Sequence, residues 1–204
     1  MSERLQQSQP NSSHWFDRNF FDSHNIDFNV GTGANLWRPA AWATVASWGN
    51  WNWPAPYYYD GEGYSYPLAA STYTYPSIST TTPSQAVSSR VITSSEADWL
   101  PLGIFALANN AIDAAQSNRI IQLAINRSGE IAGVYYNSAT DAAKDITGKV
   151  DPNNQEAYWS LDNQANFPIA STGIYNLTED QTPITVYFTD GSVQTWTLVR
   201  LQQG

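Results

Sequence analysis

The sequence contains no cysteine in 204 residues, which removes disulfide frameworks, thiol nucleophiles and thiolate metal sites together and leaves the redox compartment unmarked. Lysine is nearly as scarce. Lys144 and Lys149 are the only examples, and Lys plus Arg number 9 against 18 acidic residues, a formal charge of -9. A chain of that sign repels a phosphate backbone and has few cations with which to displace its counterions, so nucleic acid is excluded as a main partner. Apolar runs long enough to span a bilayer, roughly eighteen residues or more, are absent. The opening "MSERLQQSQPNSS" has no apolar core of a signal peptide. As written, the chain reads as neither exported by a classical signal nor membrane-spanning, hence intracellular.

Catalytic signatures are missing as well. There is no G-x-S-x-G, no Walker loop and no H-E-x-x-H, and "NVGTGAN" follows no strand, so its glycines mark a turn. The 2 histidines, His14 and His24, both fall in the N-terminal region, where they read as surface or helix-end side chains. Asp141 with Asp145, and Glu179 with Asp180, are the acidic pairs that a carboxylate-dependent hydrolase would need; their ordinary reading is as solvated turn residues. Asp60 and Glu62 offer too few oxygens for calcium. The expectation is therefore a non-catalytic protein with no cofactor and no metal.

What the sequence does have is aromatic surface, with 9 Trp, 12 Tyr and 7 Phe. Much of it is crowded into "WGNWNWPAPYYYDGEGYSYP", Trp48 to Pro67, a stretch too broken by proline and glycine to be a regular core element. Before it lie a polar tail (1–13) and two short helical patterns. In the first, Ser13 is the candidate cap, Asp17 suits the positive end of the dipole, and Phe16 and Phe20 share a face. The second is "LWRPAAWATVASWGN", with Pro39 in the first turn and Gly49 at the end; Trp37, Ala41, Val45 and Trp48 fall in one arc while Trp42 points elsewhere. Residues 14–68 thus form an aromatic, partly helical segment. Residues 69–95 are rich in Ser and Thr and read as an extended arm or linker.

The remainder, 96–204, changes character. Short apolar runs alternate with turn signals at intervals of roughly eight to twelve residues, the pattern of an all-β barrel or sandwich. Candidate strands are "LGIFALAN", "RIIQLAIN", "EIAGVYYN", "KDITGKVD", "EAYWSLD", "PIASTGIYNL", "PITVYFT" and "VQTWTLVRL". The connections are short and supply Gly, Pro, Asn or Asp, which makes sequential antiparallel neighbours the natural topology. Ile184, Val186 and Phe188 share one face of their strand, and Thr185 and Tyr187 the other. A meander of about eight strands closes on itself and abolishes its edges. The expected fold class is mainly β, an antiparallel up-and-down barrel with a lipocalin- or streptavidin-like outline and a short aromatic segment before it.

Within that region, "EADWLPLGIFAL", "GEIAGVYYNSATD", "ITGKVDPNNQEAYWSLDN" and "STGIYNLTEDQTPITVYFTDGSVQTWTLVRL" resemble a group of bacterial proteins abundant in planctomycetes, hypothetical or secreted and "mu-protocadherin-like". The upstream "NLWRPAAWATVASWGNW" and "PYYYDGEGYSY" are similar to Trp-rich and tyrosine-rich segments of the same group. The resemblance implies an envelope or secreted location. It implies no reaction and no catalytic residues.

Three roles suit the aromatic run: a stacking platform for a glycan or pigment, a cover over one end or side of the barrel, or an interface with another chain. The function expected from the sequence is a non-catalytic accessory or scaffolding subunit that holds a protein partner or larger assembly through its aromatic segment and extended arm. Its contacts would be Trp37, Trp42, Trp48, Trp51, Trp53, Tyr57, Tyr58, Tyr59, Tyr64 and Tyr66. The alternative is a barrel that binds a small apolar ligand or glycan in an unfilled interior lined by Tyr135, Trp159, Tyr187 and Trp196.

Overall fold

A computed structural model describes residues 14–26, 36–38, 40–49, 51, 53, 55–62, 65–68, 99–161 and 168–202. The Ser/Thr-rich arm, the polar tail and Tyr64 lie outside these residues, as does the side chain of Tyr66. The described elements are helices α1 (Arg18–His24) and α2 (Trp42–Trp48), a small hairpin β1 (Tyr57–Tyr59) and β2 (Ser65–Pro67), and eight strands. The strands are β3 (Trp99–Ala108), β4 (Arg119–Asn126), β5 (Glu130–Asn137), β6 (Ala142–Asp151), β7 (Glu156–Leu161), β8 (Ile169–Gly173), β9 (Gln181–Tyr187) and β10 (Val193–Arg200). Each pairs antiparallel with its neighbour in sequence, and β10 closes the ring on β3 through the register Thr197↔Ala108 to Arg200↔Phe105. The expected barrel is present. No helix among the described residues is long and apolar enough to cross a membrane.

The short connections explain the meander. At β4–β5, Asn126 Oδ1 accepts the amides of Ser128 and Glu130, both at 2.9 Å, and Gly129 takes the left-handed conformation at φ 84°. At β6–β7, Asp151 Oδ1 accepts the amide of Asn153 at 2.9 Å. Several strand bounds differ from the sequence reading, most at β3 and β8. β3 begins at Trp99, upstream of the apolar run, and β8 stops at Gly173, with a 3-10 turn over Asn176–Thr178 where the strand was expected to continue.

Alternation along the strands separates two cores. Leu102, Phe105, Leu123, Ile125, Ile131, Ile146, Ile184 and Leu198 point inward and are at most 1% exposed. Ile104, Ala106, Ile120, Ala124, Ala132, Val134 and Val199 point outward, yet they too are buried, under Trp15, Phe16, Phe20, Phe21 and Leu36. β3 and β4 are therefore covered on both faces, which accounts for their nearly unbroken apolar sequences.

Helix α1 is held on that outer face by rings and a polar clasp. Its cap is Asp17, whose carboxylate accepts the Phe20 amide at 2.8 Å, whereas the expected cap Ser13 lies outside the described residues. The helix starts too late for Phe16 to belong to it; Phe16 instead takes φ 62° in the turn before. Phe20 meets Tyr136 edge to face at 5.0 Å, and the Tyr136 hydroxyl donates to Asp141 Oδ1 at 2.9 Å. His24 Nε2 lies 3.2 Å from the same oxygen.

The β1–β2 hairpin is tied to the barrel by side-chain amides. Asn176, fully buried, accepts the Tyr59 amide at 2.9 Å and donates to the Tyr59 carbonyl at 2.7 Å, the pair of bonds that a neighbouring strand would make. Gln155 does likewise, accepting Tyr57 N–H at 3.0 Å and donating to Ala55 O at 2.8 Å. Thr185 and Thr195 both donate to Gly61 O, at 2.9 and 2.8 Å. Asn176→Ala leaves a buried N–H and C=O without partners, at about 1–3 kcal/mol for the first and less for the second. It is expected to lower the thermal midpoint by about 5 °C or more for a chain of this size. Asn176→Asp, equal in shape, is expected to fare little better, because it presents an oxygen to the Tyr59 carbonyl; differential scanning calorimetry of both variants is the check.

Candidate ligand-binding site

The two ends of the barrel differ. At one end lie the β4–β5, β6–β7 and β8–β9 connections, and here the aromatic segment sits. Val45 of α2 is fully buried, and Trp42, Trp48, Trp51 and Trp53 pack, partly buried, against the inner core. Trp51 and Trp53 stack at 4.4 Å, Trp42 lies 5.7 Å from Trp53 and nearly parallel to it, and Trp42 meets Tyr175 edge-on at 5.6 Å. Trp53 Nε1 donates to Pro152 O at 2.8 Å. The Arg127 guanidinium lies 4.1 Å from the centre of the Trp48 ring and donates to Trp48 O at 3.1 Å.

The residues nominated for a partner are thus divided among separate places. Trp42, Trp48, Trp51 and Trp53 lid the barrel, while Trp37 packs on the outer core beside α1's cover, away from the arc it was expected to share with Trp48. The helix begins at Trp42, after Pro39, so Trp37 and Ala41 precede it and the helical wheel does not apply to them. Tyr57, Tyr58 and Tyr59 form the hairpin strand on the outside; Tyr59 is 5% exposed and bonds Asn154 O through its hydroxyl at 2.7 Å. Burial, with Glu156 nearby, raises the Tyr59 phenol far above its ordinary range.

At the opposite end, reached by the start of β4, the end of β5 and the start of β10, the described residues leave part of the interior unfilled. A cavity of about 200 Å³, partly open, is lined by Leu107, Ile121, Tyr135, Trp159, Ser160, Leu161, Pro168, Ala170, Ile184, Val186, Phe188 and Trp196, together with Arg119. Burial raises the Tyr135 phenol above its usual value, and the positive charge of Arg119 pulls it back in part. Arg119 stands with its guanidinium carbon 4.7 Å from the Trp196 ring centre, and the Trp196 indole N–H donates to Gln194 at 2.9 Å.

Of the four residues the sequence nominated for an interior site, Tyr135, Trp159 and Trp196 line this cavity. Tyr187 does not. It alternates with Val186 and Phe188 and so faces outward, beside Ser171. Arg119 and the aliphatic lining were not nominated, although strand alternation combined with proximity to the same barrel end singles them out. The acidic candidates are occupied elsewhere: Asp141 clasps Tyr136 and His24, Glu179 bonds Tyr175, and Asp60 accepts the Glu62 amide at 2.8 Å. None of these carboxylates lines the cavity, and no grouping of three or more His, Asp and Glu with metal-binding geometry occurs among the described residues.

The described lining combines apolar walls, ring faces, one serine and one cation. Comparison of the chain with protein-family models, with curated proteins and with solved structures gives no match.

Proposed function

We propose that this protein binds a small apolar molecule inside its barrel, at the end opposite the tryptophan lid. The observation that carries the reading is that rings cap one end of the barrel, while the other keeps a cavity of about 200 Å³ walled mainly by aliphatic and aromatic side chains. Well-packed interiors leave few voids larger than a water molecule, so a void of this size argues for an occupant. An apolar cavity of about 150 Å³ holds benzene, which sets the scale of the guest at one aromatic ring or a small fused pair. Burial of about 250 Å² at 25 cal/mol per Å² puts the dissociation constant of such a guest between about 10 µM and 1 mM.

The test is calorimetric titration of the whole chain with indole and toluene, repeated on Ala170→Phe. The wild type is expected to bind at least one of the two. The variant, whose new ring occupies the space, is expected to lose that binding while melting at or above the wild-type temperature, since filling a void stabilises by about 0.5–2 kcal/mol. Absence of binding by the wild type sinks the proposal. A scaffold that clasps a protein partner is the competing reading, favoured by the ring surface that Trp42, Trp48, Trp51 and Trp53 leave accessible at the lid.

A further inference from the structure

We infer that the guest carries an anionic group, a carboxylate on a compact apolar body, and that Arg119 receives it; this rests on the cavity being a ligand site. Arg119 is the only charged residue among the described residues that line the cavity. Its guanidinium makes a long bond of 3.4 Å from Nη2 to Asn109 Oδ1 and lies over the face of Trp196. No carboxylate lies within salt-bridge distance of it among the described residues. In a chain with 18 acidic residues against 9 basic ones, a cation kept at an apolar cavity without an acidic neighbour among the described residues is the exception to be explained.

The geometry favours recognition of a carboxylate over mere solvation of the arginine. The contact with the Trp196 ring restrains the guanidinium, so that a bidentate acceptor would bind it at a smaller entropic cost than a free arginine pays. Tyr135, on the adjacent strand and on the same inner face, brings a hydroxyl to the neighbourhood. The described lining has no acidic group to repel an anion. The body of the guest would meet Ile121 on β4, Trp159 on β7, and Ile184 and Val186 on β9.

Indole-3-carboxylate, indole-3-carboxamide and indole, titrated calorimetrically into the whole chain, separate the two layers of the argument. The acid is expected to bind about tenfold or more tighter than the amide, the advantage of a charge-assisted bond, and to lose that advantage as salt rises. Arg119→Gln is expected to bring acid and amide to within about twofold while leaving indole unaffected; Arg119→Lys should keep part of the preference. Equal binding of acid and amide to the wild type overturns the inference and leaves the apolar site standing. Binding of none of the three overturns both. Should Arg119→Gln fail to fold, the wild-type comparison of acid with amide decides alone.

Discussion

Gly103→Ala is expected to lose about 4 kcal/mol or more of stability, a large part of what a domain possesses. Two independent costs meet at this position. Gly103 takes φ 134°, where a side chain is strained, and a Cβ built there would lie 2.1 Å from Nη1 of Arg200. Arg200 has no room to retreat. It is 5% exposed, donates from Nη1 to Leu102 O at 2.8 Å and from Nε to Glu179 O at 3.3 Å, bonds Leu177 O through Nη2, and lies 4.6 Å above the Phe105 ring. Burial lowers its pKa, opposed by Asp180 and Glu179, yet a guanidinium stays charged at neutral pH. Displacing such a buried cation from its carbonyls, or deleting it in Arg200→Met, leaves either a charge or a set of acceptors unsatisfied, at about 3–5 kcal/mol. The pair should also couple: Arg200→Met is expected to soften the effect of Gly103→Ala, because the colliding group is gone. Urea titrations of the two single variants and the double variant measure this coupling, and strict additivity would mean that the collision is not what makes alanine costly.

The bulge between Pro101 and Gly103 that creates this arrangement was not legible in the sequence, and the reason is physical. Nothing local marks Gly103 as left-handed; the requirement comes from Arg200, which arrives only when the last strand closes on the first. The barrel itself was legible because its determinants are local. "PITVYFT" alternates, "RSG" and "TDG" bring glycine to turns that use φ near 85°, and each hairpin needs only its neighbour. Side assignment followed the same logic and went astray only where it was not applied: the alternation that placed Ile184, Val186 and Phe188 on one face already placed Tyr187 on the other. The covering of β3 and β4 was present as a signal in "LGIFALA" and "IIQLAI", runs too continuous for strands with one wet face. For Arg119, alternation gives the face, but its meaning depends on Trp196, which the closure of β10 on β3 brings beside it.

The same dependence on tertiary contacts governs the lid, and there the two readings of the aromatic segment diverge most sharply. Trp51 and Trp53 stack on each other, Trp53 is fixed to Pro152 O, and both lie against the inner core at the end Arg200 also closes. If the rings exist to seal the barrel, Trp51→Ala combined with Trp53→Ala exposes Val150 and its neighbours to water and empties the stack. Each truncated ring, partly buried at the outset, then costs about 2 kcal/mol by area. The expected loss is about 3–5 kcal/mol for the pair, a fall in melting temperature of about 10 °C or more. If instead the rings are held out for a protein partner, stability barely moves and the partner is lost, which mass spectrometry of material co-purified with the wild-type and variant chains would detect. Because the lid and the cavity occupy opposite ends, the variant should still bind indole below its lowered melting temperature. Retained binding with reduced stability identifies the tryptophans as the stopper of a vessel open at its other end, whereas retained stability with a lost companion protein would hand them back to the scaffold reading.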